Sequence, residues 1–320
     1  MAIRTSLTEL FDLTYPIVLA PMAAVSGGGL ASSVSNAGGL GLVGGGYGDK
    51  AWLDRELQIA SESARGRWGA GLITWRATNE ALEQVLSYHP DVVFLSFGDA
   101  RPFVPSIKDA GCRLICQVQE VEDAREAKAL GADVIVAQGT EAGGHGSVRA
   151  TMPLVPVIVD AVAPTPVLAA GGIGDGRGLA AVLALGAAGA VIGTRFCAAE
   201  GSLMHPLAKQ RLISSAGSET VRTHVFDEVR GIEWAKRYTG RALRNAFVDR
   251  WHDRDEGLYE DLAERERYLA AAEQGDFDTA MILAGEVVDM VERVEPASEI
   301  LEGIGRDAED WLRRAPSLVV

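Results

Sequence analysis

EVEDAREAKALGADVIVAQGTEAGGHG, residues 120–146, contains the step on which the fold turns. Its first part sets Val121, Ala124, Ala127 and Leu130 on nearly one face at helical spacing. Gly131 then interrupts the periodicity, and glycine is the residue that readily takes the left-handed turn closing a helix. ADVIVA follows at once, an apolar run of the kind that forms a strand buried on both faces. The remainder, AQGTEAGGHG, places one histidine among four glycines, where the chain either turns tightly or lets something approach its backbone.

The same junction recurs as Asn36-Ala37-Gly38 before LGLV, Asp109-Ala110-Gly111 before CRLIC and Ala184-Leu185-Gly186 before AAGAVIG. Strands are expected at Ile17 to Ala20, Leu40 to Val43, Gly69 to Thr74, Val92 to Leu95, Leu114 to Gln117, Val134 to Ala137, Val167 to Ala170 and Ala190 to Ile192, with helices between most of them. Eight such units fit a closed (β/α)8 TIM barrel better than an open doubly wound sheet, whose usual five or six strands make it the alternative. After Phe196 the pattern changes to charged stretches of helical character, PLAKQRLISSA, EWAKRYTGRALRNAFVDRW and GLYEDLAERERYLAAAEQ. The expected organisation is a barrel over 1–204, a helical substrate-covering subdomain over 205–280, and C-terminal helices over 281–320 that pack back on the barrel.

Composition narrows the function classes. Of 320 residues, 48% are hydrophobic and 23% charged, ordinary values for a globular protein, while 37 glycines exceed the usual share. A net charge of -14 argues against nucleic acid or an anionic membrane as partner. Cys112, Cys116 and Cys197 lack the spacing of a disulfide framework or a zinc site, so no metal is expected and buried thiols are. MAIRTSLTEL has no secretion-signal stretch, and the most apolar window, Leu179 to Gly193, is glycine-broken and flanked by Arg177 and Arg195, so the expected location is the cytoplasm.

Active sites of such barrels lie in the loops at the C-terminal strand ends. Here those loops carry Pro21-Met22-Ala23, Gly44-Gly45-Gly46, Thr74-Trp75-Arg76, Gln117, the quoted glycine loop, Gly171-Gly172-Ile173-Gly174 and Gly193-Thr194-Arg195. Glycine-lined turns after the seventh and eighth strands are where a barrel holds a phosphate, so a phosphate-bearing ligand is expected there. The matches Gly39-x-Gly41-x-x-Gly44 and Gly176-x-Gly178-x-x-Ala181 to the dinucleotide fingerprint fall inside a strand and inside a helix, so they indicate no such cofactor. His145 is the candidate base or partner of an anionic substrate, its bare neighbours leaving space for a planar ligand. Glu141 either orients His145 or caps a turn. His89 sits at the opposite barrel end, His224 and His252 lie in the helical segment, and His205-Pro206 is expected to start a helix.

APM after the first strand, SNAGGLGLVGGG, QGTEAGGHG, LAAGGIGDGRG and VIGTRF together resemble the nitronate monooxygenase family, over roughly residues 15–200. Flavin-dependent enoyl-acyl-carrier-protein reductase II and a related NADH:quinone reductase are similar in the same places. The resemblance implies a barrel binding FMN, with Gly171, Gly172, Gly193 and Thr194 on the phosphate. Met22, Ala23 and Thr74 would line the flavin ring, and Gln117, Gln138, Ala142 and Gly143 would meet its edge or the ribityl chain. His145 would be the active-site base. The implied reaction oxidises an alkyl nitronate with O2 to a carbonyl compound and nitrite, the flavin doing the redox work. An NAD(P)H-dependent flavin reductase is the enzymatic alternative and a flavin-binding barrel without turnover the other; a homodimer is compatible with each.

Overall fold

A computed structural model describes residues 3–254 and 257–318; residues 1, 2, 255, 256, 319 and 320, which fall within the three segments expected above, lie outside it. One parallel sheet contains β1 (Ile17–Leu19), β2 (Gly41–Gly44), β3 (Trp68–Ile73), β4 (Val92–Ser96), β5 (Arg113–Val118) and β6 (Val134–Gln138). Past a short strand β7 (Gly144–Gly146), which pairs elsewhere, come β8 (Val167–Ala170) and β9 (Gly189–Ile192). The order is β1-β9-β8-β6-β5-β4-β3-β2. The two ends meet, since Leu19 N–H donates to Leu40 O at 2.9 Å and Leu40 N–H to Ile17 O at 3.0 Å, which closes the sheet. Each strand lies within one residue of its expected run at either end, and the architecture is the (β/α)8 barrel rather than the open sheet.

Helices α1 (Ser6–Phe11), α2 (Gly28–Asn36), α3 (Lys50–Ser63), α4 (Asn79–Ser87), α5 (Val104–Asp109), α6 (Val121–Ala129), α7 (Thr151–Val162), α8 (Gly176–Ala184) and α9 (Thr194–Cys197) accompany these strands. The glycine junctions have a common geometry. Gly131 has φ +80°, its N–H donates to Lys128 O at 2.9 Å, and Ala132 N–H reaches back to Ala127 O at 3.0 Å, ending α6 and turning the chain into β6. Gly38, Gly111 and Gly186 repeat that left-handed turn.

Two apolar layers follow from strands buried on both faces. Inside the barrel, Val18, Leu42, Phe94, Ile115, Val136 and Leu168 pack together, and Leu7 and Phe11 of α1 plug the bottom. Outside, strand residues such as Leu19, Val43, Leu95 and Ile135 meet the helices. The long C-terminal helix lies against α2 and α8. That contact is backbone-close: a Cβ at Gly176 would lie 2.3 Å from Asp307 Cβ, and one at Gly305 would lie 2.0 Å from the Tyr15 ring.

The segment after α9 holds α10 (Pro206–Ile213), α11 (Val225–Arg230), α12 (Ala246–Trp251) and α13 (Leu262–Gln274), and the final helix is α14 (Ala297–Arg314). It also holds two strands that the sequence pattern did not lead one to expect, β10 (Thr220–Thr223) and β11 (Thr239–Leu243), the latter inside a stretch of helical character. TVRT and TGRAL are short and each carries an arginine, so neither stands out as an apolar run. They form because β11 pairs antiparallel on both sides, with β10 and with β7 of the barrel loop. None of the helices described is long and apolar enough to cross a membrane, and no metal-sized group of His, Cys, Asp or Glu is gathered among the described residues.

A Cβ at Gly41 would sit 1.9 Å from the Ala31 carbonyl oxygen of α2. Gly41→Ala is therefore expected to cost about 1–3 kcal/mol and to lower the midpoint of thermal unfolding; an unchanged midpoint would contradict the close packing of β2 on α2. Burial pushes the thiols of Cys116 and Cys197 up to about 12 and raises that of Cys112. At about pH 8 a thiol reagent should leave the native protein unlabelled and modify all three cysteines after denaturation, because the thiolate is the reactive form.

Candidate active site

The C-terminal strand ends open onto a cavity of about 510 Å³. Met22 and Ala23 reach it from the loop after β1, Gln117 and Gln138 from the ends of β5 and β6, and Ala142, Gly143 and His145 from the loop and strand that follow β6. Gly171 and Gly172 after β8, and Gly193 and Thr194 after β9, complete the same wall. Thr74 is the expected residue that does not border it. Its side chain is buried and its hydroxyl donates to Ser96 O at 3.1 Å, so Ile73 faces the cavity instead.

One corner presents mostly backbone. Gly171 and Gly172 hold φ values of +98° and +74°, conformations that a side chain would strain. Thr194 Oγ1 accepts the Gly285 N–H at 2.9 Å, which leaves the hydroxyl proton to donate elsewhere. Gly285 and Val287, from the chain between α13 and α14, cover this corner. No apolar periodicity or motif in LAGEVV marked them. The remaining wall is apolar, with Leu203, Met204, Met281, Ile282 and Leu283. A bare-backbone corner, an apolar wall and a glutamine edge together suit a flat ring carrying an anionic tail.

The loop bearing His145 is held from several sides. Through β7, His145 pairs with Gly240 of β11. Gln138 Nε2 donates to His145 O at 3.0 Å, while Gln138 Oε1 accepts from Gln119 at 2.7 Å and Gln117 at 3.2 Å. Arg222 and Arg241 both donate to Thr140 O, at 2.9 and 2.8 Å. Burial, and then the neighbouring Arg241, bring Arg222 down to about 10, which keeps it a cation at neutral pH. The bareness of the loop has a second use besides ligand space: a Cβ at Gly143 would lie 2.6 Å from Gly285 N, and one at Gly146 would lie 2.8 Å from Arg222 Nη2. Glu141 does not orient His145. Its carboxylate accepts from Thr151 Oγ1 at 2.7 Å and from Thr151 N–H at 3.0 Å, capping α7.

The imidazole itself is enclosed, with 9% of the side chain exposed. His145 Nε2 lies 2.7 Å from Asp227 Oδ2, and Asp227 Oδ1 accepts from Arg230 Nη2 at 2.7 Å. Trp234 stacks on the ring at 3.6 Å between centroids and 8° between planes, and its Nε1 donates to Tyr47 OH at 2.9 Å. Phe97 presents an edge to Trp234 at 5.1 Å and does so with φ +61°, a rare conformation for a bulky residue that the surrounding packing must enforce. Burial raises the hydroxyls of Tyr47 and Tyr238 above the usual tyrosine value.

Asp227, Arg230, Trp234, Phe97 and Tyr47 gather around His145, directly or through one another, with no signal in the linear sequence to announce it. FDEVRGIEW does carry an Asp–Arg pair one helical turn apart, but Asp227 lies 82 positions beyond His145, and nothing in the pattern links the two. His205 starts α10, as expected, with its Nδ1 accepting the Leu207 N–H at 3.2 Å, and it also borders the cavity.

A family model for nitronate monooxygenase matches residues 4–73 and 69–307. A nitronate monooxygenase of Neurospora crassa is 31% identical over 362 aligned residues, covering 98% of this chain and 94% of that one. An octahydro-indene-carboxyl-CoA dehydrogenase of Mycobacterium tuberculosis is also 31% identical, over the full length of both chains. Among solved structures, FabK from Thermotoga maritima superposes with a TM-score of 0.87 at 28% identity, covering 99% of this chain and 100% of the other. With the family model spanning the barrel and the inserted segment alike, the chain belongs to the nitronate monooxygenase family of flavin-dependent oxidoreductases.

Proposed function

We propose that this protein is an FMN-dependent nitronate monooxygenase that converts alkyl nitronates and O2 to a carbonyl compound and nitrite. The observation that carries this reading is an enclosed imidazole, His145, on the rim of an apolar cavity whose far corner is bare backbone. Gly171, Gly172, Gly193 and Thr194 would hold the phosphate, since exposed N–H groups and one hydroxyl suit an anion better than a side chain would. Met22 and Ala23 would lie along the ring, and Gln117, Gln138, Ala142 and Gly143 at its edge. When bound, FMN supplies the electron transfer between nitronate and oxygen. His145 would steady the anionic nitro group or take a proton from a neutral nitroalkane. Phe97, Tyr47 and Trp234 offer the alkyl portion an apolar enclosure and keep water from the reacting atoms.

A second reading, an NAD(P)H-dependent reductase or dehydrogenase, is favoured by the mycobacterial relative named for a CoA thioester, which aligns over both full lengths. Purified protein is expected to be yellow, to release FMN on denaturation, and to consume O2 and liberate nitrite from ethyl nitronate without added nicotinamide. Full flavin content with no nitrite, together with rapid anaerobic bleaching by NADH or NADPH, would replace the first reading by the second. His145→Asn is expected to lower turnover of neutral nitroethane by about 10²–10⁴-fold, the usual contribution of a positioned acid–base group, while FMN remains bound. Unchanged turnover in that variant would remove His145 from the chemistry.

A further inference from the structure

The function proposed above needs a proton acceptor but does not say which nitrogen of His145 acts, nor what sets it. We infer that Asp227, itself fixed by Arg230, is a positioning residue that holds His145 in the Nε2–H tautomer and so turns the Nδ1 lone pair toward the substrate. This inference rests on the reading of His145 as the site's proton-transfer group.

Three observations carry it. Asp227 and His145 are 6% and 9% exposed at their side chains and lie 2.7 Å apart, so the contact is shielded from bulk solvent. The other Asp227 oxygen takes a guanidinium proton from Arg230 at 2.7 Å, and Arg230 Nε donates to Phe226 O at 2.7 Å. A carboxylate occupied in that way accepts from its second partner and does not donate to it, which places the ring proton on Nε2. Finally, Nδ1 has no hydrogen-bond partner among the described residues, the ring borders the cavity, and Trp234 covers one ring face, so an incoming proton arrives in the ring plane.

The step balances within the site. Nδ1 takes the α-proton of a nitroalkane, the C–H electron pair moves into the nitro group to give the nitronate, and the resulting imidazolium is neutralised by Asp227. A preformed nitronate has already lost that proton. Asp227 therefore matters most for neutral nitroalkanes.

In Asp227→Asn the amide can donate to Nε2, which favours the tautomer with the ring proton on Nδ1 and so removes the lone pair that faces the substrate. Nitroethane turnover is expected to fall on the order of 100-fold, while turnover of ethyl nitronate falls far less. A nitroethane-to-nitronate ratio unchanged within a few-fold would overturn the inference. The wild-type protein gives an independent reading, even where the variant does not fold. Long-range 1H–15N NMR of 15N-histidine protein should show the His145 ring protonated at Nε2 with an unprotonated Nδ1, and the reverse tautomer would overturn the inference. Absence of nitrite from wild-type protein with nitronate would sink the functional reading, whereas the tautomer would still decide the positioning claim.

Discussion

The site depends on a three-residue antiparallel pairing. Among the described residues, β7 is the one part of the loop after β6 with regular strand partners, and those partners belong to the three-stranded sheet rather than to the barrel. A strand so short is not stable alone; it needs a third strand and an apolar face behind it. β10 supplies the strand, and Val225, Phe226, Phe247 and Tyr268 supply the face. The barrel fixes where the loop begins, and the insertion fixes where the histidine ends.

Charge supports the same arrangement. Arg222 and Arg241 are two cations brought together beneath one loop, with Glu286 as the carboxylate paired to Arg241 at 3.0 Å. The carbonyl of Thr140 draws donors from both, so the loop backbone shares the work of solvating their charge. On the opposite side, the buried Asp227 is answered by Arg230 and by the imidazole. Taking one member from such a buried set leaves an uncompensated charge, which typically costs about 3–5 kcal/mol. These contacts make the loop rigid at its root and at its tip while the glycines between them stay bare.

The barrel was legible because its signals are local. A helical stripe, a glycine at the left-handed turn and a doubly buried strand follow one another within about fifteen residues, and the repetition, not any single instance, identifies closure. Gly171, Gly172, Gly193 and Thr194 could be found because strand ends in this architecture share one rim. Side-chain alternation at the end of β3 turns Thr74 toward Ser96 and Ile73 toward the cavity, a one-residue difference that a run of apolar residues does not resolve. β10 and β11 were hidden because their stability comes from cross-strand partners up to about a hundred residues away, and a polar strand of four or five residues carries no periodic signature. Asp227, Arg230 and Trp234 share that origin: each reaches His145 only through the folded insertion.

The antiparallel seam between β7 and β11 has an implication for inheritance and design. The portion that carries the His145 ring and the portion that fixes its angle come from separate stretches of chain, so neither can be exchanged alone. Grafting a relative's segment between α9 and α14 onto this cylinder would also re-aim the imidazole, because β11 belongs to that segment. The transplantable module is therefore the loop and the insertion together, with Gly143, Gly146, Arg222 and Gly240 as its matched edges.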